Sequence, residues 1–250
     1  MKIRNVILLV LLAFVITVVL RFPASVVLAN VETAPAVVHS PSGTIWRGAA
    51  RAVSVGANRV QDVGWQVNPL LLFSGRVGAN IDFSIFGGDG IATVARSLGG
   101  DMLVTDGALT LNAATLAKMI PGDLVDLSGD VDLAVEDWLF VNQQPERLRG
   151  DIIWRNAALK SPAQAELGTV TVTITPNNDG HTAELTNNGG QVQITGKVDV
   201  NKRGTYRADV RLKPRANAPA DLDGTLGLLG RKGGDGSYRL RQNGRLSDLF

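Results

Sequence analysis

The chain has 250 residues, with 25 Lys and Arg against 23 Asp and Glu, and no cysteine. That length can bury a sizeable core in one or two domains, and basic residues scattered without runs describe a solvated surface and not a nucleic-acid partner. The missing thiol excludes disulfides, thiol catalysis and zinc–thiolate sites.

Lys2 and Arg4 precede an apolar run over residues 6–20, which Arg21 closes. As a helix this run reaches roughly 22 Å, short of the ~30 Å hydrocarbon core. Arg21 can snorkel, while Phe22, Val26, Val27 and Leu28 carry the apolar character further. A cleaved signal peptide is the rival reading, because Val27-Leu28-Ala29 resembles a small-residue cleavage site. Arg21 and Pro23 lie where a cleavable signal stays neutral, which favours an uncleaved membrane anchor over residues 1–29. In both cases the basic residues ahead of the run put everything after it on the exported side. Residues 30–42, marked by Pro35 and Pro41, read as a spacer; the lone His39 there is assigned no role.

Residues 43–51 read G-T-I-W-R-G-A-A-R, and a looser copy, G-D-I-I-W-R-N-A-A-L, occupies residues 150–159. Neither copy holds a nucleophile, an acid–base pair or a metal ligand. Beyond Trp46 the pattern has period two almost throughout. Ala79, Ile81, Phe83 and Ile85 alternate with polar residues, as do Val131, Leu133 and Val135, then Val170, Val172 and Ile174, Val192, Ile194, Val198 and Val200, and Tyr206, Ala208, Val210 and Leu212. Such alternation gives strands with one buried face and excludes a parallel sheet buried on both faces. Asp89-Gly90, Asp106-Gly107, Asp179-Gly180, Asn188-Gly189 and Asp235-Gly236 are the expected hairpin turns.

Two helical stretches interrupt the strands. Residues 112–120 have Asn112 as N-cap and stop at Pro121-Gly122; residues 220–229 are weakened by Gly224 and Gly227. Residues 213–219 read as a connector, so residues 213–250 are expected to form an appendage to a β domain over residues 43–212.

Asp123, Asp126, Asp130, Asp132, Glu136 and Asp137 are the best candidates for a metal, but their spacing matches no calcium loop, and Asp130 and Asp132 fall on the polar face of a strand. His181 belongs to a turn and has no cysteine and only one other histidine to work with. No G-x-S-x-G, H-E-x-x-H, Walker or dinucleotide motif occurs, and the G-G-D-G runs at Gly87 and Gly233 lack the helix and lysine that a phosphate needs. These readings assign no cofactor, metal, small-molecule substrate or nucleic acid, and no enzyme activity. Trp46, Trp65 and Trp154 occupy comparable strand contexts and are expected in the core, with Trp46 and Trp154 as equivalents in two related halves.

Taken together these residues resemble the type II secretion system protein N family. The first motif is carried by Gly43, Trp46, Gly48 and Ala50, and the next by Trp65, Pro69, Leu72, Gly75 and Arg76. The match continues with Leu148, Gly150, Ile152, Trp154, Asn156, Ala157, Pro162, Leu167 and Gly168, and closes on Leu228, Gly230, Asp235, Gly236, Tyr238, Leu240 and Gly244. The resemblance implies a non-catalytic accessory subunit of the machine that exports folded proteins from the periplasm of Gram-negative bacteria. Its partners would be other secretion subunits, the inner-membrane platform or the secretin, and the motif residues would be architectural. The expected fold is all-β: an antiparallel sheet, curved or groove-like, in two related halves, behind one N-terminal transmembrane helix and with one or two short helices. The chain also resembles the β-groove proteins that carry lipid across the periplasm. In that alternative the alternating apolar face lines an open trough.

Overall fold

The computed structural model describes residues 21–26, 36–56, 58–118, 126–142, 144–161, 164–219 and 222–246. Among them no helix is long and apolar enough to cross a membrane, which says nothing of strands. The expected anchor run, residues 6–20, lies outside the described residues.

Alternating sequence becomes antiparallel sheet. The chain separates into two compact units, the first holding residues up to Ile85 together with Thr93–Leu98, the second Phe86–Ala92 and Gly99 onward. In the first unit β1 (Ala36–Gly43), β2 (Arg47–Val55), β3 (Asn58–Asn68) and β4 (Arg76–Ile85) pair antiparallel in chain order. A 3₁₀ turn, Pro69–Ser74, joins β3 to β4, with Pro69 opening it and Asn68 Oδ1 accepting from the Leu70 N–H at 3.0 Å. Strand β5 (Gly88–Ser97) divides between the units. The β1 strand takes up residues 36–42 of the expected spacer.

In the second unit β6 (Met102–Asn112), β7 (Asp126–Val141), β8 (Gln144–Ser161), β9 (Ala165–Pro176), β10 (Gly180–Asn188), β11 (Val192–Asn201) and β12 (Thr205–Pro214) pair antiparallel, each with the next. Helix α1 (Ala113–Ala117) follows β6, capped as expected by Asn112, whose Oδ1 accepts from the Ala114 N–H at 2.9 Å. Beyond β12 the chain forms helix α2 (Leu222–Leu229), a short β13 (Arg231–Lys232) and β14 (Tyr238–Arg245), which pairs with both β12 and β13. The described residues beyond β12 therefore supply one helix and two strands of the same sheet.

Two of the expected turns are strand interior. Asp89-Gly90 lies in β5 and Asp106-Gly107 in β6; the reversal between β4 and β5 falls at Phe86-Gly87 instead. Asp106 nonetheless has a φ of 50°, so its left-handed tendency bends a strand in place of closing a hairpin.

The registers line up the apolar positions of the second unit into rows across strands. One row runs Leu109, Leu133, Ile152, Val172 and Leu185; Gly196, Val210 and Leu240 continue it. The large residues in this row are half-buried, and among the described residues no large side chain is completely enclosed. The best-packed core lies where α2 covers the sheet: Leu222 and Leu226 meet Ala165, Val192 and Tyr238, with Leu167, Ile194, Leu212 and Ala218 around them. The other face is polar, with cross-strand pairs such as Thr110 donating to Asp132 at 2.8 Å, Thr173 donating to Asp151 at 2.6 Å, and Asp132 paired with Arg155.

Candidate functional site

The residues singled out by sequence cluster at places where the backbone is forced into unusual geometry. In the first unit Gly43 ends β1 with a φ of 80° and faces Gly48 across the hairpin. Gly48 is directly opposite Trp65, and a Cβ there would lie 2.4 Å from the indole Cζ2; the missing side chain seats the ring. The Trp65 indole N–H donates to the Thr44 carbonyl at 3.3 Å. Ala50 is buried beside two kinks, Ser40 in β1 and Asp62 in β3, both at positive φ and flanking Arg51 of β2. Gly75 caps the 3₁₀ turn with a φ of 70°.

Trp46 differs from expectation. It sits half-buried in the turn joining β1 to β2, whereas Trp154 is in the middle of β8 between Val131 and Val170. The two are therefore not in the same strand context. Within the first unit it is Trp65 that resembles Trp154 in having a strand position and an indole N–H donating to a carbonyl, here Ser128 at 2.9 Å.

In the second unit the motif residues mark a line of bulges. The β7–β8 register slips between Ser128 and Asp130, and the β8–β9 register slips on either side of Ala157. Gly129, Asn156 and Gly168 all have positive φ, at 107°, 49° and 75°. A Cβ on Gly129 would lie 2.3 Å from the Arg155 carbonyl oxygen, and one on Gly168 would lie 2.2 Å from that of Asn188. A bulge leaves ladder groups unpaired. Asn187 fills that role here: its amide donates to the Leu167 and Val192 carbonyls, both at 2.7 Å, and its Oδ1 accepts from the Ile194 N–H at 2.7 Å. Gly150 presses on the Ala134 carbonyl, while Gly230 closes α2 through its N–H to Leu226 at 3.1 Å. Gly236 turns the chain at a φ of 75° so that Tyr238 enters the α2 core, with the Lys232 ammonium 5.3 Å from its ring centroid.

His181 was read as a turn residue but is buried at the start of β10. Strand β9 ends at Pro176, whereas β8 continues past it, and His181 Nε2 accepts the Leu148 N–H at 3.0 Å. The bond needs a neutral ring, and burial pushes the imidazole below its ordinary 6.5, with Glu146 opposing and Lys202 assisting. On the polar face Asp209 receives Arg239 Nε at 2.7 Å and lies 3.3 Å from Arg241; the hydrogen bonds from Arg239 hold its carboxyl at about 2. Asp130, Asp132, Glu136 and Asp137 are spread along β7, and among the described residues no group of three or more His, Asp or Glu could hold a metal ion. Open, polar depressions lie along β12 and β14, bounded by Arg207, Asp209 and Asn243.

Fold and motif positions together define an antiparallel β protein whose distinctive residues shape backbone and seat rings. The chain belongs to the family described as type II secretion system (T2SS), protein N, whose model matches residues 34–241. It is similar to the type II secretion system protein N of Vibrio cholerae, 27% identical over 239 residues that cover 92% of this chain and 93% of that one. The proteins of the same name from Aeromonas hydrophila and Pectobacterium carotovorum are 25% and 24% identical, covering 94% and 90% of this chain and 96% and 90% of their own. No solved structure matches the chain at a significant level.

Proposed function

We propose that this chain is a non-catalytic accessory subunit of the type II secretion system, serving export of folded proteins from the periplasm across the outer membrane. The observation that carries the reading is coverage: the family match spans residues 34–241, and relatives bearing that name align over nine-tenths or more of both chains. Within it, residues 1–29 form a single inner-membrane anchor, 30–35 what is left of the spacer, 36–212 the periplasmic β domain that opens with β1, and 213–250 its C-terminal addition. Lys2 and Arg4 ahead of the apolar run set that orientation. The motif residues spend themselves on turns, bulges and ring seats, which suits a scaffold that presents surfaces to the inner-membrane platform or the secretin.

The test is site-specific crosslinking in the native host. Because the chain has no cysteine, single cysteines on the exposed polar face report contacts directly. Adducts with other secretion subunits are the expected result, and their disappearance when those subunits are deleted identifies them. A chain that crosslinks to none of them contradicts the proposal.

One observation favours a second reading, the lipid-binding β groove. The apolar rows of the second unit stay half-buried where neither helix covers them. Phospholipid or lipopolysaccharide copurifying in fixed ratio with the chain, together with normal secretion in its absence, would select this reading over the first.

A further inference from the structure

In the first unit the antiparallel order puts alternate connections at the same end. The β1–β2 turn, residues 44–46, and the 3₁₀ turn Pro69–Ser74 share that end, and the Trp46 carbonyl accepts the Val67 N–H at 2.7 Å just ahead of Pro69. Leu98, beyond the end of β5, joins them: its N–H donates to the Gly75 carbonyl at 3.2 Å. The 3₁₀ turn is held in shape from within. Asn68 caps its start, Gly75 its end, and Leu71 packs over Gly78, where a Cβ would lie 2.3 Å from the leucine Cδ1. With Leu71 spent on that contact, the remaining apolar residues project into solvent. Phe73 is 91% exposed, Leu98 87%, Leu70 72% and Leu72 44%. Scattered exposed hydrophobes are ordinary, whereas four of them on one preformed end mark an interaction surface.

The chain that emerges from the apolar run docks on this same end. Residues 21–26 follow that run directly. Ala24 is completely buried, Pro23 bridges to Thr44, and the Ile45 N–H donates to the Phe22 carbonyl at 3.1 Å. Arg21, Arg47, Arg76 and Arg96 stand within two residues in sequence of these segments, all exposed, while residues 41–61, 63–81 and 90–98 contain no Asp or Glu. Apolar side chains proud of a surface and flanked in sequence by arginine suit the boundary between anionic headgroups and acyl chains.

We propose that this end of the first unit rests on the membrane, with Leu70, Phe73 and Leu98 dipping into the lipid interface and the arginines holding anionic headgroups. The first unit is thereby held against the bilayer and does not swing from a tether. The occupant is the lipid surface from which residues 6–20 emerge, so the inference rests on reading those residues as the anchor.

Phe73→Cys, Leu98→Cys and, in the β2–β3 hairpin at the opposite end, Asn58→Cys provide single labelling sites for an environment-sensitive fluorophore on the full chain. Each variant is reconstituted in vesicles of phosphatidylethanolamine and phosphatidylglycerol, with and without nitroxide-bearing acyl chains. At 73 and 98 the emission shifts to the blue and is quenched by nitroxides about 5–10 Å below the headgroups; at 58 neither occurs. Alkaline carbonate extraction of the same vesicles reads the anchor separately. Quenching at 73 and 98 in protein that carbonate strips away upholds the tip and refutes the anchor. Aqueous emission at 73 and 98 in protein that resists carbonate overturns the tip and leaves the anchor standing. Labels that stay aqueous on lipid and become shielded only when other secretion subunits are added also overturn the proposal, because the surface then serves a protein.

Discussion

Asn156 offers a test of the bulge line in which the expected order of stabilities runs opposite to that of an ordinary strand. Its side chain is exposed and its φ is 49°, at the β8–β9 register slip. At a regular exposed strand position valine is preferred and glycine disfavoured, over a span of about 1 kcal/mol. In the left-handed region a Cβ costs roughly 1–2 kcal/mol, asparagine tolerates the conformation, and a β-branched residue fits it worst. Asn156→Gly should therefore match or slightly exceed the parent, Asn156→Ala should lose about 1 kcal/mol, and Asn156→Val about 1–2 kcal/mol. Urea unfolding of the full chain in detergent, followed by tryptophan fluorescence, reads these differences. With m of about 1–3 kcal/mol/M the valine variant moves the midpoint down by roughly 0.3–2 M. A valine variant as stable as the parent, with the glycine variant the weaker, would refute the bulge geometry.

Gly168→Ala should be among the most damaging substitutions, about 3 kcal/mol or more, because its Cβ meets the Asn188 carbonyl at a positive φ; an unchanged urea midpoint would contradict this. Trp154→Ala removes a half-buried ring and strands the Ser128 carbonyl, at about 3 kcal/mol by the same titration, and should exceed the loss at Trp46, which lies in a turn. His181 gives a pH signature. Its folded value lies below the unfolded 6.5, so the unfolded chain binds more protons in the window beneath 6.5. Stability is then full above about 6.5 and falls with the pH through the folded value. His181→Phe leaves the Leu148 N–H unpaired, costs about 1–3 kcal/mol at neutral pH and flattens that slope; a slope that persists in the variant assigns it to another group.

The alternation of valines and threonines was enough to read antiparallel strands with one apolar face, because a period of two has no other use in a folded chain. Asn112 before a run of good helix formers likewise placed α1. The dipeptides Asp89-Gly90 and Asp106-Gly107 misled for a physical reason. They report willingness to take a left-handed backbone, and Asp106 uses it to kink β6 without ending it. Asn156 uses the same tendency to set a bulge inside β8. The tip was hidden by composition. Pro69-Leu70-Leu71-Leu72-Phe73 looks like core, and only the docking of Leu71 on Gly78 shows that the others must point away. His181 was obscured because the end of β9 at Pro176, which leaves the Leu148 N–H wanting an acceptor, is a fact of three strands and not of one segment.

Secretion kinetics in a deletion strain test the central claim most directly. Removing this chain from its host should slow release of type II substrates and leave them folded in the periplasm, and expression of the intact chain should restore release. The relevant control is an exported protein that uses another route, which should be unaffected. Normal release of type II substrates from the deletion strain, with an altered envelope lipid profile, would contradict the secretion reading and leave the lipid groove in its place.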